Sequence, residues 1–247
     1  MNVNEKSNVV KPILVPQRLD MRNSIRIAAQ SQKKLSLTGR RLDEQGLSRI
    51  LVDDFHSVDF LILKRFSGMK TQKLVNFKLK TAELNYCRSL KSLEHNTPLL
   101  ETLLFRGPRM NNMMFMDCNK TFPLLRVLTL SYCDMTGCIK ISSNSLQELF
   151  LLKFNKSIEI TVTAPNLHHI TYDGSTICSF SNMNVGRLFS ADIELYRNWY
   201  QKRNDTWFRN LNEMLQCLKL ASLFFAAKNI YYKNQDHCYN HTYMFPV

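Results

Sequence analysis

The reactive side chains of this chain fall into a few clusters. His168 and His169 are adjacent and stand just ahead of Asp173. An imidazole beside a carboxylate is a proton-transfer pair. His237, Cys238 and His241 carry donor atoms of the kind that hold zinc. Trp199, Tyr200, Trp207 and Phe208 lie close to Lys202, Arg203 and Arg209, a mixture able to stack nucleobases. There are seven cysteines, with Cys133 and Cys138 closest in sequence and no C-x-x-C.

Each cluster also has a plainer structural reading. Neighbouring residues on a strand face opposite sides, so His169 is expected on an outer surface and His168 partly inside. Asp173-Gly174 reads as the turn that follows. No fourth zinc ligand stands near His237 at a recognised spacing. The aromatics near Trp207 flank a helical stripe, where they more often close a core. Glycine is scarce, at 7 residues, and neither GxGxxG nor GxxxxGK[ST] occurs. The expectation is no catalytic residue, no metal ligand, no cofactor and no enzyme activity.

The elements that must position these residues are set by a repeat. The template L-x-x-L-x-L fits Leu100-x-x-Leu103-x-Phe105, Leu125-x-x-Leu128-x-Leu130, Leu146-x-x-Leu149-x-Leu151 and Leu167-x-x-Ile170-x-Tyr172. A weaker copy is Leu188-x-x-Ala191-x-Ile193. First positions are spaced by 25, 21, 21 and 21 residues, and the second copy runs on to Cys133. Outer copies are placed at Leu74-x-x-Phe77-x-Leu79 and Leu215-x-x-Leu218-x-Leu220, with Val58-x-x-Leu61-x-Leu63 and Leu35-Ser-Leu37 extending the pattern. Periods of about 20–29 residues mark leucine-rich repeats, which bury their apolar side only by stacking. The fold class read here is α/β, a leucine-rich-repeat solenoid with a curved parallel sheet, rich in strand and short of helix. Ile158-Glu-Ile160-Thr-Val162 and Ile139-Lys-Ile141 alternate as further strands on the returning side. Pro98, Pro123 and Pro165 each precede a first-position Leu by two and fix the turn into it. Trp207, Leu211, Met214, Leu215 and Leu218 share one helical face, predicting a helix over 205–217.

On each strand the residues between the inward Leu positions face out, onto the expected concave surface. The partner-binding residues read from the template are Lys78, Lys80, Leu104, Arg106, Val127, Thr129, Ser131, Phe150, Leu152, His169, Thr171, Asp173 and Asp192. This row runs from basic through apolar to acidic. Leu104, Val127, Phe150 and Leu152 form an apolar patch, which marks an interaction site unless the chain's own N-terminal segment covers it. Residues 1–30 read as a basic tail, 31–227 as the repeat domain and 228–247 as a C-terminal tail.

Three stretches are similar to the repeat region of plant F-box/LRR proteins of the FBD-associated type. They are NTPLLETLLFRG (96–107), TFPLLRVLTLSYCDM (121–135) and APNLHHITYDGS (164–175), and NYCRSLKSLE (85–94) also fits. The resemblance spans roughly residues 50–225. It implies a protein-recognition scaffold that selects substrates for an SCF-type ubiquitin ligase. An F-box opening phrase is not found in residues 1–55, so the resemblance covers the recognition half. Skp1 and cullin are expected only if an F-box is supplied elsewhere.

Charge adds a competing class. The net charge is +13, and residues 1–50 alone hold ten cations against four carboxylates. Such a segment permits nucleic-acid binding, which weakens steeply as salt rises. A protein partner is favoured over nucleic acid, and a truncated family member without activity of its own is the further alternative. No run of 18 apolar residues and no signal-like apolar stretch occurs, so no membrane contact is expected. With no secretory signal read, the thiols are expected reduced, in cytoplasm or nucleus.

Overall fold

The computed structural model describes residues 26–31, 33–39, 57–66, 71–75, 78–87, 92–107, 117–133, 137–154, 156, 158–186, 188, 190–196, 205–221 and 229–233. The strands are β1 (Arg26–Ser31), β2 (Lys34–Thr38), β3 (Phe60–Lys64), β4 (Thr71–Val75), β5 (Thr81–Asn85), β6 (Ser92–Asn96), β7 (Thr102–Arg106), β8 (Val127–Ser131), β9 (Cys138–Ser142), β10 (Glu148–Phe154), β11 (Glu159–Ala164), β12 (His169–Gly174), β13 (Ser179–Val185), β14 (Ser190–Tyr196) and β15 (Asn229–Lys233). The helices among the described residues are α1 (Cys118–Thr121) and α2 (Asp205–Ala221).

One sheet has ten strands in the order β1-β2-β3-β5-β7-β8-β10-β12-β14-β15. The β1–β2 hairpin is antiparallel, and every other pair in that sheet is parallel. The skipped strands form parallel sheets β4-β6 and β13-β11-β9. The chain therefore winds from one wall to the other as a strand-rich solenoid. Its first and last strands, β1 and β15, lie outside the 31–227 span read from the repeat.

Register shows why the repeat folds this way. Leu35, Leu61, Ala82, Leu103, Leu128, Leu149, Ile170 and Ala191 pair in sequence across the large sheet, and all are buried. A second buried column runs Leu37, Leu63, Leu84, Phe105, Leu130, Leu151, Tyr172 and Ile193. The first-position residues Val58, Leu79, Leu100, Leu125, Leu146, Leu167 and Leu188 form a third. Stacking like on like at about 4.8 Å gives each repeat the apolar surface that it cannot bury alone.

The true frame corrects the outer copies. Leu74 lies on β4, in the other wall, and the copy that stacks is Leu79-x-x-Ala82-x-Leu84. First positions 58, 79 and 100 are then also 21 apart. Ala82 in the second position hid this copy from the leucine template. Leu215 and Leu218 lie on α2 and do not start a repeat.

The one long spacing, from Leu100 to Leu125, holds α1. Asp117 caps it, its side chain accepting from the Lys120 N–H at 3.1 Å, while Cys118 and Phe122 are fully buried. The alternating segments expected on the returning side are β9 and β11, with Ile139, Ile141, Ile160 and Val162 inward. The expected helix is α2. It lies against the edge strand β13, with Met214 and Leu218 buried.

The prolines sit where turn geometry wants them. Leu100, Leu125 and Leu167 donate their N–H to the carbonyls of Thr97, Phe122 and Ala164 at 3.0–3.1 Å. Each proline is thus the second residue of a hydrogen-bonded β-turn, a position its fixed φ suits. Ahead of Leu146, where no proline stands, the buried Ser143 Oγ accepts from the Leu146 N–H at 3.2 Å instead.

Strand exits share another device. Arg65, Tyr86, Tyr132 and Lys153 have φ between 54° and 62°, in the left-handed region. Gly107, at φ 156°, occupies the same position after β7. The N–H of Arg65, Gly107 and Tyr132 still donates to the next strand, to Asn85, Ser131 and Leu152 carbonyls at 2.8–3.1 Å. The following residues turn inward, so Phe66, Cys87, Cys133 and Phe154 are buried. Left-handed backbone costs a non-glycine residue roughly 1–2 kcal/mol.

Candidate functional site

The pleat that sends two leucines per strand inward sends three residues out, in rows along the ladder. The central row runs Ile62, Glu83, Leu104, Thr129, Phe150, Thr171 and Asp192, each paired with the next. Val127 and His169 stand in the row towards the strand starts, either side of Glu148. Arg106, Ser131, Leu152 and Asp173 stand in the row towards the strand ends. Eleven of the expected partner-binding residues thus share one face. Two do not: Lys78 and Lys80 lie exposed in the turn ahead of β5. They were assigned in the Leu74 frame, and the face positions of that strand are Thr81, Glu83 and Asn85.

Exposure refines the row. Leu104, Val127, Thr129, Phe150, Leu152 and Thr171 are half-buried, while Ser131 is 2% and Asp173 7% exposed. Ser131 and Asp173 therefore offer little surface to a partner. Asp173 and Gly174 are the last residues of β12 rather than a turn. Asp173 Oδ2 meets Lys153 Nζ at 3.0 Å, and its buried Oδ1 finds no hydrogen-bond donor among the described residues. Leu104 and Phe150 are two strands apart with Thr129 between, so the apolar patch is interrupted at its centre.

Phe150 and His169 form the most structured part of the face. Their rings are 5.6 Å apart at 56°. His169 Nδ1 is 2.6 Å from Ser190 Oγ, and its Nε2 is 2.9 Å from Thr171 Oγ1 and 3.8 Å from Asp192 Oδ2. Ser190, His169 and Asp192 are residue types that can form a nucleophilic triad. Here Nε2 is engaged by Thr171, and the Ser190 N–H donates to the His168 carbonyl at 3.1 Å, so it cannot stabilise an oxyanion. The arrangement fixes the imidazole beside the Phe150 ring.

Among the described cysteines, Cys87, Cys118, Cys133 and Cys178 are buried, and Cys138 and Cys217 are half-buried. Burial pushes the Cys87 thiol up to about 11 and those of Cys118 and Cys133 up to about 12. Thiols this hard to ionise are poor nucleophiles. Cys133 Sγ lies 3.5 Å from the Ser131 carbonyl, packed against its turn. Cys178 lies 3.2 Å from the buried Tyr172 hydroxyl. The expected clusters at His237, Cys238 and His241, and at Trp199, Tyr200, Lys202 and Arg203, lie outside the described residues. Among the described residues, no three His, Cys, Asp or Glu side chains converge as a metal site, and no helix is long and apolar enough to cross a membrane.

Comparison with models of protein families, with characterised proteins and with solved structures finds no match to this chain.

The structure also exposes residues the template did not single out. Half-buried Phe60 begins the outer face, with Lys34 Nζ 4.4 Å from its ring centroid, while Ile62 on the same side is only 7% exposed. Tyr86 and Tyr132 project at strand exits, 42% and 44% exposed. The Val58-x-x-Leu61-x-Leu63 copy already frames the first pair as outward positions. Nothing in the residue types signals left-handed backbone at the second.

Proposed function

We propose that this chain is a protein-recognition scaffold, a leucine-rich-repeat solenoid whose outer face selects a partner, like the substrate-binding repeats of plant F-box/LRR proteins. One observation carries the reading. Successive 21-residue copies place unlike side chains in register on one face, around Phe150, while their inward residues are nearly invariant in type. A ladder that only had to fold has no need of a half-buried Phe flanked by a hydrogen-bonded His.

Aromatic anchors of this kind hold much of the energy of protein interfaces, and truncating one costs about 2 kcal/mol or more. Polar neighbours such as Glu148, Thr129, Thr171 and Asp192 would form the rim. In this reading the protein acts in cytoplasm or nucleus with reduced thiols, catalyses nothing itself and needs no cofactor. Skp1 and cullin would join only through an F-box supplied elsewhere.

Affinity purification of the full chain, with blotting for Skp1 and cullin, tests the reading. A discrete protein should co-purify and be lost in Phe150→Glu, while purified Skp1 alone does not bind. A folded Phe150→Glu protein that keeps every associated protein would refute the assignment of the face.

A further inference from the structure

We propose that the rim formed by the strand exits of the large sheet is a separate binding site, for single-stranded nucleic acid. It centres on the strand exits rather than on Phe150, and shares only Arg106 with the outer-face residues. The last strand residue and the exit residue of β3, β5, β7 and β8, with Lys153 at the left-handed bulge of β10, contribute four cations, Lys64, Arg65, Arg106 and Lys153, two tyrosines and no carboxylate. Among the described residues, the first acid on this edge is Asp173, already paired with Lys153.

The ladder sets the spacing. Five strands at about 4.8 Å make a row of about 19 Å. Tyr86 and Tyr132 are two strands apart, about 10 Å, with Gly107 between them. Gly107 is buried and closely packed there, since a Cβ on it would lie 3.3 Å from Tyr86 Cα. The Arg106 guanidinium lies 5.5 Å from the Tyr132 ring centroid.

The turn shared by these exits sets their side chains at the edge. Arg65, Tyr86, Tyr132 and Lys153 all occupy left-handed positions that glycine or asparagine would take with less strain. These side chains stand at the exposed edge: Tyr86, Tyr132 and Arg65 are all exposed. The ligand must therefore be extended, anionic along its length and rich in flat faces. A duplex keeps its bases stacked internally, and an acidic peptide lacks the repeated flat faces. A single strand offers both charges and unstacked bases.

The test is fluorescence anisotropy of the full chain with a labelled oligothymidylate of about twelve nucleotides, inside the usual single-strand site range. A matched duplex and oligoglutamate serve as competitors. The wild type should bind the single strand, with log affinity falling against log salt at a slope of about −2 to −3 for three to four phosphate contacts. The double variant Tyr86→Asn, Tyr132→Asn should melt no lower than the wild type, because asparagine tolerates the backbone, yet bind at least about tenfold more weakly. Arg106→Gln should reduce the salt slope by about 0.7 and decides the matter alone if the tyrosine variant fails to fold. No binding at low salt, equal competition by duplex or oligoglutamate, or unchanged affinity in folded variants would overturn the proposal.

Discussion

Leu128 touches Leu103 on one side and Leu149 on the other across the ladder, and all three are buried. Cutting it to Ala leaves a void that the backbone ladder cannot close. Leu128→Ala should lower unfolding free energy by about 2–5 kcal/mol, read by denaturant titration. Gly174 is constrained differently. A Cβ there would lie 2.7 Å from the Phe154 carbonyl and 2.6 Å from the Tyr172 hydroxyl. The backbone carbonyl is held by the Ser175 N–H at 2.9 Å and cannot give way cheaply. Gly174→Ala should cost at least about 1 kcal/mol, and a variant as stable as wild type would show that the β10–β12 bulge relaxes. The raised thiols add a pH dependence. A cysteine that ionises near 9 unfolded but only near 11 or 12 folded stabilises the fold fully below pH 9. That contribution is lost as pH rises from about 9 to 12, because only the unfolded chain releases the proton. Stability measured at pH 8 and 10.5 should fall, and Cys118→Ala should fall less steeply.

At the scale of elements, the turn before β10 shows how one side chain replaces a backbone group. Ser143 does for Leu146 what the Thr97, Phe122 and Ala164 carbonyls do in neighbouring repeats. Ser143→Ala should cost about 1 kcal/mol, since it strands a buried N–H, and Ser143→Thr should retain part of it. Strands with a clean inward pattern were legible in the sequence: β8, β10 and β12 from L-x-x-L-x-L, and β9 and β11 from two-residue alternation. So was α2, whose stripe buries Met214 and Leu218. β5 was not, because Ala82 fills an inward place that the template reserves for a larger residue. The misframing carried Lys78 and Lys80 onto a face they do not share. The left-handed exits were illegible for another reason. Their conformation is imposed by the ladder turning into the second wall, against the preference of Tyr and Arg.

The whole molecule is a stack in which each copy rests on its neighbours. Such assemblies unfold as coupled units, with interface terms between repeats. A Leu128→Ala lesion should therefore raise amide exchange in β7 and β10 before it reaches β2 or β14. Exchange rising uniformly would instead mark a single cooperative unit. The same architecture spreads a graded surface across one face, apolar at Leu104 and Phe150 and acidic at Asp192 and Glu194. That this face receives a protein is the central claim. It is tested most directly by placing a photo-crosslinking phenylalanine analogue at position 150, and a second at exposed Lys140 on β9 of the opposite wall. The account requires a discrete protein crosslinked from position 150 and none from position 140. Crosslinking from 140 alone, or equally from both, would contradict it.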